Sequence, residues 1–159
     1  MSSQFSVDAM TLSIRAATVG DLSAIMELEK RAATAAHWPT AQYEAMFRAS
    51  DPERVALILE EEAELQGFVI ARVVAEEWEI ENIAVTGSAR QRGLGTRLVG
   101  ELLDLARAKG TAAVFLEVRE SNRAARALYE KWAFLESGSR RGYYVDPQED
   151  AILYRLDLI

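Results

Sequence analysis

Residues 78–110 carry the arrangement that most restricts how this chain can fold. A strand-like segment, Trp78 to Val85, leads through Arg90-Gln91-Arg92-Gly93-Leu94-Gly95-Thr96 into a helix running to Lys109 and closed by Gly110. The helix is predicted because Leu94, Leu98, Leu102 and Leu105 recur at spacings of four, four and three, which makes one apolar stripe, and a glycine just past the end is the usual stop. Glycines in the connecting loop let successive backbone N–H groups turn toward one anion, and the helix N-terminus adds its partial positive charge. Arg90, Arg92, Arg97, Arg107 and Lys109 against Glu101 and Asp104 give residues 90–109 a charge of +3 (5 − 2), whereas the whole chain carries 18 − 25 = −7. A basic island in an acidic chain suits a compact ligand such as a pyrophosphate and argues against a broad nucleic-acid face. The two glycines alone also fit a plain connector.

Two other phosphate loops are weighed and set aside. Glu117 lies roughly twenty residues beyond the glycines, where a Rossmann dinucleotide site keeps its ribose-binding acid. The third glycine is missing, however, and the loop follows four candidate strands instead of opening the fold. No Gly-Lys-Ser/Thr follows, so a P-loop is excluded.

The rest of the chain reads as alternating elements. Leu12 to Ala17 is predicted as a strand, Thr18 as the N-cap of a helix to about Arg31, and Thr40 as the start of a short helix to Phe47. Arg54 to Glu60 and Gln66 to Ala75 read as strands joined by a turn that includes Glu61, Glu62 and Glu64. Ala112 to Arg119 is a nearly continuous apolar run, expected of a strand covered on both faces. Ser121 or Asn122 caps a helix whose inner side carries Ala125, Leu128, Tyr129 and Trp132, and Phe134 to Tyr144 and Ala151 to Leu156 supply two last strands. The expected fold class is α/β (α+β), a single mixed central sheet of about seven strands flanked by about four helices.

The chain of 159 residues has no cysteine and one histidine, His37, which excludes thiol catalysis, disulfides and a multi-ligand zinc site. A cytoplasmic location is expected. Met1 to Met10 reads as a loose leader and residues 11–159 as one domain; no run approaches the roughly 18 apolar residues of a membrane helix, so no membrane partner is expected.

Arg90-x-x-Gly93-x-Gly95 resembles the R/Q-x-x-G-x-G/A acetyl-CoA loop of the Gcn5-related N-acetyltransferase (GNAT) family. Asn82-Ile83-Ala84-Val85, Leu116-Glu117-Val118-Arg119, Ser121-Asn122, Ala127-Leu128-Tyr129-Glu130, Arg140-Arg141-Gly142-Tyr143-Tyr144 and Glu149-Asp150-Ala151-Ile152 extend the resemblance, most closely from Ile80 onward. Trp132-Ala133-Phe134 stands where the family has Leu-Gly-Phe, and His37-Trp38-Pro39-Thr40 matches a Pro-Trp-Ser segment only in part. The resemblance implies the GNAT fold, acetyl-CoA as donor and an amine as acceptor. It also implies cofactor binding by Gln91, Arg92, Gly93, Leu94, Gly95, Thr96 and Asn122, with backbone N–H groups of Ile83, Ala84 and Val85 at the acetyl carbonyl.

Glu117 interrupts an apolar strand on the face of Ala113 and Phe115. A carboxylate there must be ion-paired, hydrogen-bonded or protonated. It reads as a structural partner of Arg119 or Arg141, and the resemblance implies instead the general base. Tyr129 reads as core; the resemblance implies the acid that protonates the departing thiolate, and a phenol near pKa 10 is a reasonable donor to a thiol near 8.5. Asn122 is a helix cap or a cofactor contact. Glu79, on one strand face with Glu81, is a reserve base or an ion-paired residue. Tyr143, Tyr144 and Trp38 are packing residues or, by resemblance, the walls that hold an acceptor peptide.

A free α-amine has a pKa of about 7.7–8.0 and lysine about 10.4, so producing the neutral nucleophile costs about 3.4 kcal/mol less for the α-amine. The family branch that this chain resembles implies protein N-termini as acceptors, in particular the N-terminal alanine of a small-subunit ribosomal protein. Lysine, a small-molecule amine, or a non-catalytic acyl-CoA-binding role are the alternatives.

Overall fold

The computed structural model describes residues 12–32, 36–48 and 53–159, so the expected leader, Met1 to Met10, lies outside the described residues. The strands are β1 Leu12–Ala16, β2 Arg54–Glu61, β3 Glu64–Val74, β4 Glu77–Val85, β5 Ala113–Arg119, β6 Leu135–Tyr144 and β7 Glu149–Asp157. They form one sheet in the order β1-β2-β3-β4-β5-β7-β6, antiparallel everywhere except between β4 and β5. The helices are α1 Leu22–Arg31, α2 Thr40–Arg48, α3 Gly87–Gln91, α4 Leu94–Ala108 and α5 Arg123–Lys131. The expected mixed sheet is therefore present, with one more helix than expected: α3 is five residues long and too short to leave a periodic signal.

The leucine stripe of α4 packs where its spacing predicts. Leu94, Leu98 and Leu102 are buried with Leu57, Val69, Ile80, Val114 and Leu116 on one face of the sheet, and Tyr129 and Phe134 close the same cluster. On the opposite face Ile25 and Leu28 of α1 and Tyr43 and Met46 of α2 cover Ile58, Phe68, Ile70 and Ala84. This second layer covers β2 to β4 but not β5. Here the expectation for residues 112–119 is corrected: Val114, Leu116 and Val118 are buried, whereas Phe115, Glu117 and Arg119 are only half-buried on the face that α1 and α2 do not reach. The β2–β3 turn also shrinks, to Glu62 and Ala63, both at positive φ (53° and 66°) as a tight primed hairpin turn requires. Glu61 and Glu64 pair with each other as strand residues.

The Leu-Gly-Phe departure is accommodated in place. Ala133 takes φ 69°, the left-handed geometry a glycine would adopt, and Trp132 lies over Gly100, where a β-carbon would stand 2.6 Å from the indole. The indole Nε1–H donates to the Thr96 carbonyl at 2.9 Å. Among the described residues no helix is long and apolar enough to cross a membrane.

A left-handed alanine costs roughly 1–2 kcal/mol relative to glycine. Ala133→Gly is expected to raise stability by about 1 kcal/mol, or about 2–4 °C in Tm for a chain of this size. Thermal melting checks it; an unchanged Tm would mean that this turn carries no strain.

Candidate active site

The site begins with an extra residue in β4. Ile70 pairs with Asn82 and Ala71 with Ile80, so Glu81 stands opposite no residue of β3. Such bulges bend a strand and increase its twist. The parallel ladder to β5 stops at Ile80–Leu116, while β5 continues along β7 to the pair Arg119–Ala151. β4 and β5 therefore part, leaving a cleft lined by residues 81–85 on one side and 117–119 on the other. The Thr86 N–H donates to the Gln66 carbonyl of β3 at 2.9 Å, so by strand alternation Ala84 also faces β3, and the N–H groups of Ile83 and Val85 turn to the cleft. Of the three expected backbone donors, two have the right direction. β3 approaches this end of β4 closely because residue 67 is glycine: a β-carbon there would lie 2.7 Å from Val85 Cγ1.

The cleft runs into the glycine loop. Thr86 caps α3 by accepting the Ala89 N–H at 3.2 Å, and the chain turns into α4 at Gly93, with φ 69° and ψ 21°. The Gly93 carbonyl takes the first helical bond, from the Arg97 N–H. Leu94, Gly95 and Thr96 occupy the first turn, whose N–H groups have no acceptor within a helix, and no side chain caps them. Gly95 sits against Leu128 and Val85 at ordinary contact distance. Gln91 is exposed at the end of α3, and the Arg92 guanidinium is held in a fork by both Glu61 oxygens at 2.7 and 2.8 Å. This ion pair is not visible in the loop motif itself. Asn122 caps α5, its Oδ1 accepting from the Ala125 N–H at 3.2 Å.

Glu117 is the first β5 residue past the last β4 pair. Its Oε1 lies 3.1 Å from Arg140 Nε, and its Oε2 is buried with no hydrogen-bond partner among the described residues. The expected ion pair exists, but with Arg140 in place of Arg119 or Arg141. Arg119 instead lies over the Tyr144 ring at 4.5 Å and binds Glu149. Tyr143 stands beside Glu117, whose negative charge is the main reason that its phenol pKa is raised, with burial second. Tyr144 is pushed up to about 12, by burial first and by Glu117 second. The two rings meet edge to face at 5.1 Å. Tyr129 is buried and packs on Phe134 at 5.5 Å; burial, with a smaller contribution from Tyr144, pushes its pKa up, so its hydroxyl keeps its proton throughout the physiological range. The structure thus brings Glu117, Tyr129, Tyr143 and Tyr144 together.

Glu79 and Trp38 join from the other side. Glu79 is ion-paired with Arg72 at 2.7 Å, and Glu81 with Arg54 at 2.8 Å. Arg54 lies 5.5 Å from the Trp38 ring centre, and Trp38 packs on Tyr43 at 5.1 Å. Sequence reasoning missed Arg72 and Arg140, which neutralise the two candidate bases, and missed Asn82. The Arg72–Glu79 contact is a direct cross-strand pair; Arg140 gave no signal because β6 slips by one residue against β7 between Glu136 and Gly138, which turns Arg140 in place of Arg141 to the face of Glu117.

Comparison with known proteins agrees with this geometry. The sequence profile of the Acetyltransferase (GNAT) family matches residues 22–134. The [ribosomal protein bS18]-alanine N-acetyltransferase of Escherichia coli strain K12 is 38% identical over 141 residues, which are 87% of this chain and 92% of that protein. Its Salmonella typhimurium counterpart is 39% identical over 151 residues, 93% of this chain and 97% of that one. The crystal structure of the ribosomal-protein-S18-alanine N-acetyltransferase from Escherichia coli superposes with a TM-score of 0.83 at 34% identity, covering 92% of this chain and 94% of that one. The chain belongs to the GNAT family. It is an acetyltransferase, and acetyl-CoA is its acetyl donor.

The uncapped first turn of α4 predicts how coenzyme A affinity responds to substitution. Aspartate tolerates the left-handed geometry of residue 93, so Gly93→Asp is expected to fold while setting a carboxylate against the phosphate-binding terminus. Affinity should fall by about tenfold or more, from charge repulsion. Calorimetry with coenzyme A measures it, and unchanged affinity in the folded variant would remove the loop from the site.

Proposed function

We propose that this enzyme acetylates a protein N-terminal α-amine, with the N-terminal alanine of ribosomal protein bS18 as its acceptor and the cytoplasm as its place of action. The observation that carries the chemistry is the Glu117 Oε2: a buried carboxylate oxygen without a partner at the mouth of the β4–β5 cleft. An unsatisfied buried acceptor is costly, and an incoming ammonium supplies the missing donor.

Acetyl-CoA brings an activated acetyl thioester. The N–H groups of Leu94, Gly95 and Thr96 bind phosphate, with Gln91, Arg92 and the Asn122 amide at the margin of that site. The cleft-facing N–H groups of Ile83 and Val85, beside Ala84, stabilise negative charge on the carbonyl oxygen as the amine adds. Glu117 takes the proton that the amine releases, and Arg140 holds the carboxylate in place. Tyr129 returns a proton to the sulfur as the carbon–sulfur bond breaks. Glu79 is less suited to be the base because, unlike Glu117, it has no buried oxygen left without a partner, and it contributes to the floor of the acceptor groove. Tyr143 and Tyr144 form one wall of that groove and Trp38 the other.

Support for the α-amine comes from the modest demand placed on a single ion-paired carboxylate, which has about 2.5 fewer pKa units to overcome than with lysine, and from the identity shared with the bS18-alanine N-acetyltransferases.

Two measurements test this. Glu117→Gln keeps the shape of the side chain and an acceptor for Arg140, so coenzyme A affinity should persist while kcat falls by about 10²–10⁴; a fully active variant would pass the role to Glu79 or to water. A panel of short peptides differing at residue one, with free or acetylated N-termini, plus internal lysines and polyamines, identifies the acceptor by mass spectrometry. Free N-termini, alanine foremost, should be modified. Acetylation confined to lysine side chains or polyamines would refute the α-amine assignment.

A further inference from the structure

Asn82 is 3% exposed and polar, and no part of the chemistry above uses its side chain. The bulge at Glu81 sets both Glu81 and Asn82 toward the α1–α2 side of the sheet, the face on which Ala84 also packs. There the Asn82 amide binds the backbone of Ala36 twice, as a neighbouring strand would: Oδ1 accepts the Ala36 N–H at 3.1 Å and Nδ2 donates to the Ala36 carbonyl at 3.1 Å. Nδ2 also donates to the Tyr43 hydroxyl at 3.1 Å. A second anchor comes from α1, where the buried Glu29 carboxylate accepts the Trp38 N–H at 2.6 Å and lies 3.4 Å from His37 Nδ1. The loop that carries Trp38 is therefore fastened at two points, to α1 by Glu29 and to β4 by Asn82.

The place of the second fastening matters. Asn82 adjoins Ile83, the first cleft-facing donor, so one short stretch of β4 holds both the acceptor wall and the groups aimed at the acetyl carbonyl. Any shift of the Ala36–Trp38 loop relative to β4 changes the width of the groove at the point where the amine must approach. Trp38 itself sits between Tyr43 and Arg54, and Arg54 is bound to Glu81, the other residue that the bulge turns to this face.

We infer that Asn82 is a positioning residue for acceptor selection, setting through Ala36 the distance between the Trp38 wall and the acetyl-bearing strand. This rests on the reading of Trp38 as a wall of the acceptor groove. Asn82 touches neither donor nor acceptor, so its loss should leave the cofactor site intact and affect only how the amine is received.

The experiment is steady-state kinetics on Asn82→Ala, Asn82→Asp and Tyr43→Phe, with the peptide panel as acceptors and calorimetry for coenzyme A. For Asn82→Ala the acceptor KM should rise at least tenfold and the preference among first residues should flatten, while kcat at saturation stays within about threefold and coenzyme A affinity within about twofold. Asn82→Asp keeps the acceptor for the Ala36 N–H and loses the donor, so it should fall between parent and Asn82→Ala; it also serves if the alanine variant does not fold. Tyr43→Phe removes a hydroxyl shared by Asn82 and Glu29 but leaves the Asn82–Ala36 pair in place, so it should raise KM less than Asn82→Ala does. The inference is overturned if the folded Asn82 variants retain parental KM and preference, if they lose kcat with KM unchanged, or if Tyr43→Phe raises KM as much as Asn82→Ala does. If the parent modifies no free N-terminus, the α-amine reading falls separately, and the role of Asn82 is decided by the KM of whichever amine the parent does use.

Discussion

Because Glu81 stands unopposed in the β3–β4 ladder, β4 bends away from β5 after four parallel pairs, and the sheet opens in its middle instead of at an edge. A parallel pair that separates leaves backbone N–H groups unpaired in a partly buried position, which a folded protein tolerates only where something else will satisfy them. Those of Ile83 and Val85 are in that condition. The same extra residue turns Asn82 toward the α1–α2 loop, and the end of the ladder at Leu116 makes Glu117 the first β5 side chain to border the opening. The proposed backbone donors, base and acceptor wall thus share one origin in the register of a single strand.

The charges around the opening serve position more than stability. Arg54 with Glu81, Arg72 with Glu79 and Arg140 with Glu117 border the opening. Partly exposed pairs of this kind contribute little, typically about 0–1 kcal/mol each. What they do is hold carboxylates in fixed directions in a groove that would otherwise concentrate negative charge. The Glu117 Oε2 keeps no hydrogen-bond partner among the described residues although Arg140 balances the carboxylate's charge, and its neighbours are phenols whose protons are kept on by that carboxylate and by burial. A groove with one unsatisfied carboxylate oxygen, surrounded by neutral donors and paired charges, favours a single cation at one place.

Four of the five helices, the succession of the strands along the chain and the glycine loop before α4 were legible because each rests on short-range signals: the leucine spacing of α4, the glycines at 93 and 110, the β-branched residues of β3, and Asn122 before an amphipathic segment. The roles of Glu117 and Tyr129 came from family resemblance, since composition and spacing alone read them as an ion pair and a core ring. What sequence could not reveal depends on register. No local pattern places an extra residue at Glu81, or displaces Arg140 far enough in β6 for it to replace Arg141 as the partner of Glu117. The expectation that β5 is covered on both faces failed for a related reason: apolar Phe115 and Leu116 look alike in the run, and only the lateral reach of α1 and α2 decides which one is buried. The Arg92–Glu61 pair was hidden because Glu61 lies in another hairpin.

The departure at residues 132–134 bears on the cofactor end of the molecule. The first turn of α4, proposed to bind phosphate, forgoes a side-chain cap, which ordinarily contributes about 1 kcal/mol, since Gly93 supplies none. Trp132 compensates from a distance. Its indole covers Gly100, about two turns into α4, and its Nε1–H binds the Thr96 carbonyl, tying α5 to the first turn of α4. The larger side chain fits only because residue 100 has no β-carbon, so Gly100 and Trp132 act as a pair. Ala133, in left-handed geometry immediately after Trp132, turns the chain so that Phe134 enters the core beside Tyr129. Local strain at Ala133 is thereby coupled to the firmness of α4 and to the placement of the phenol that completes the site.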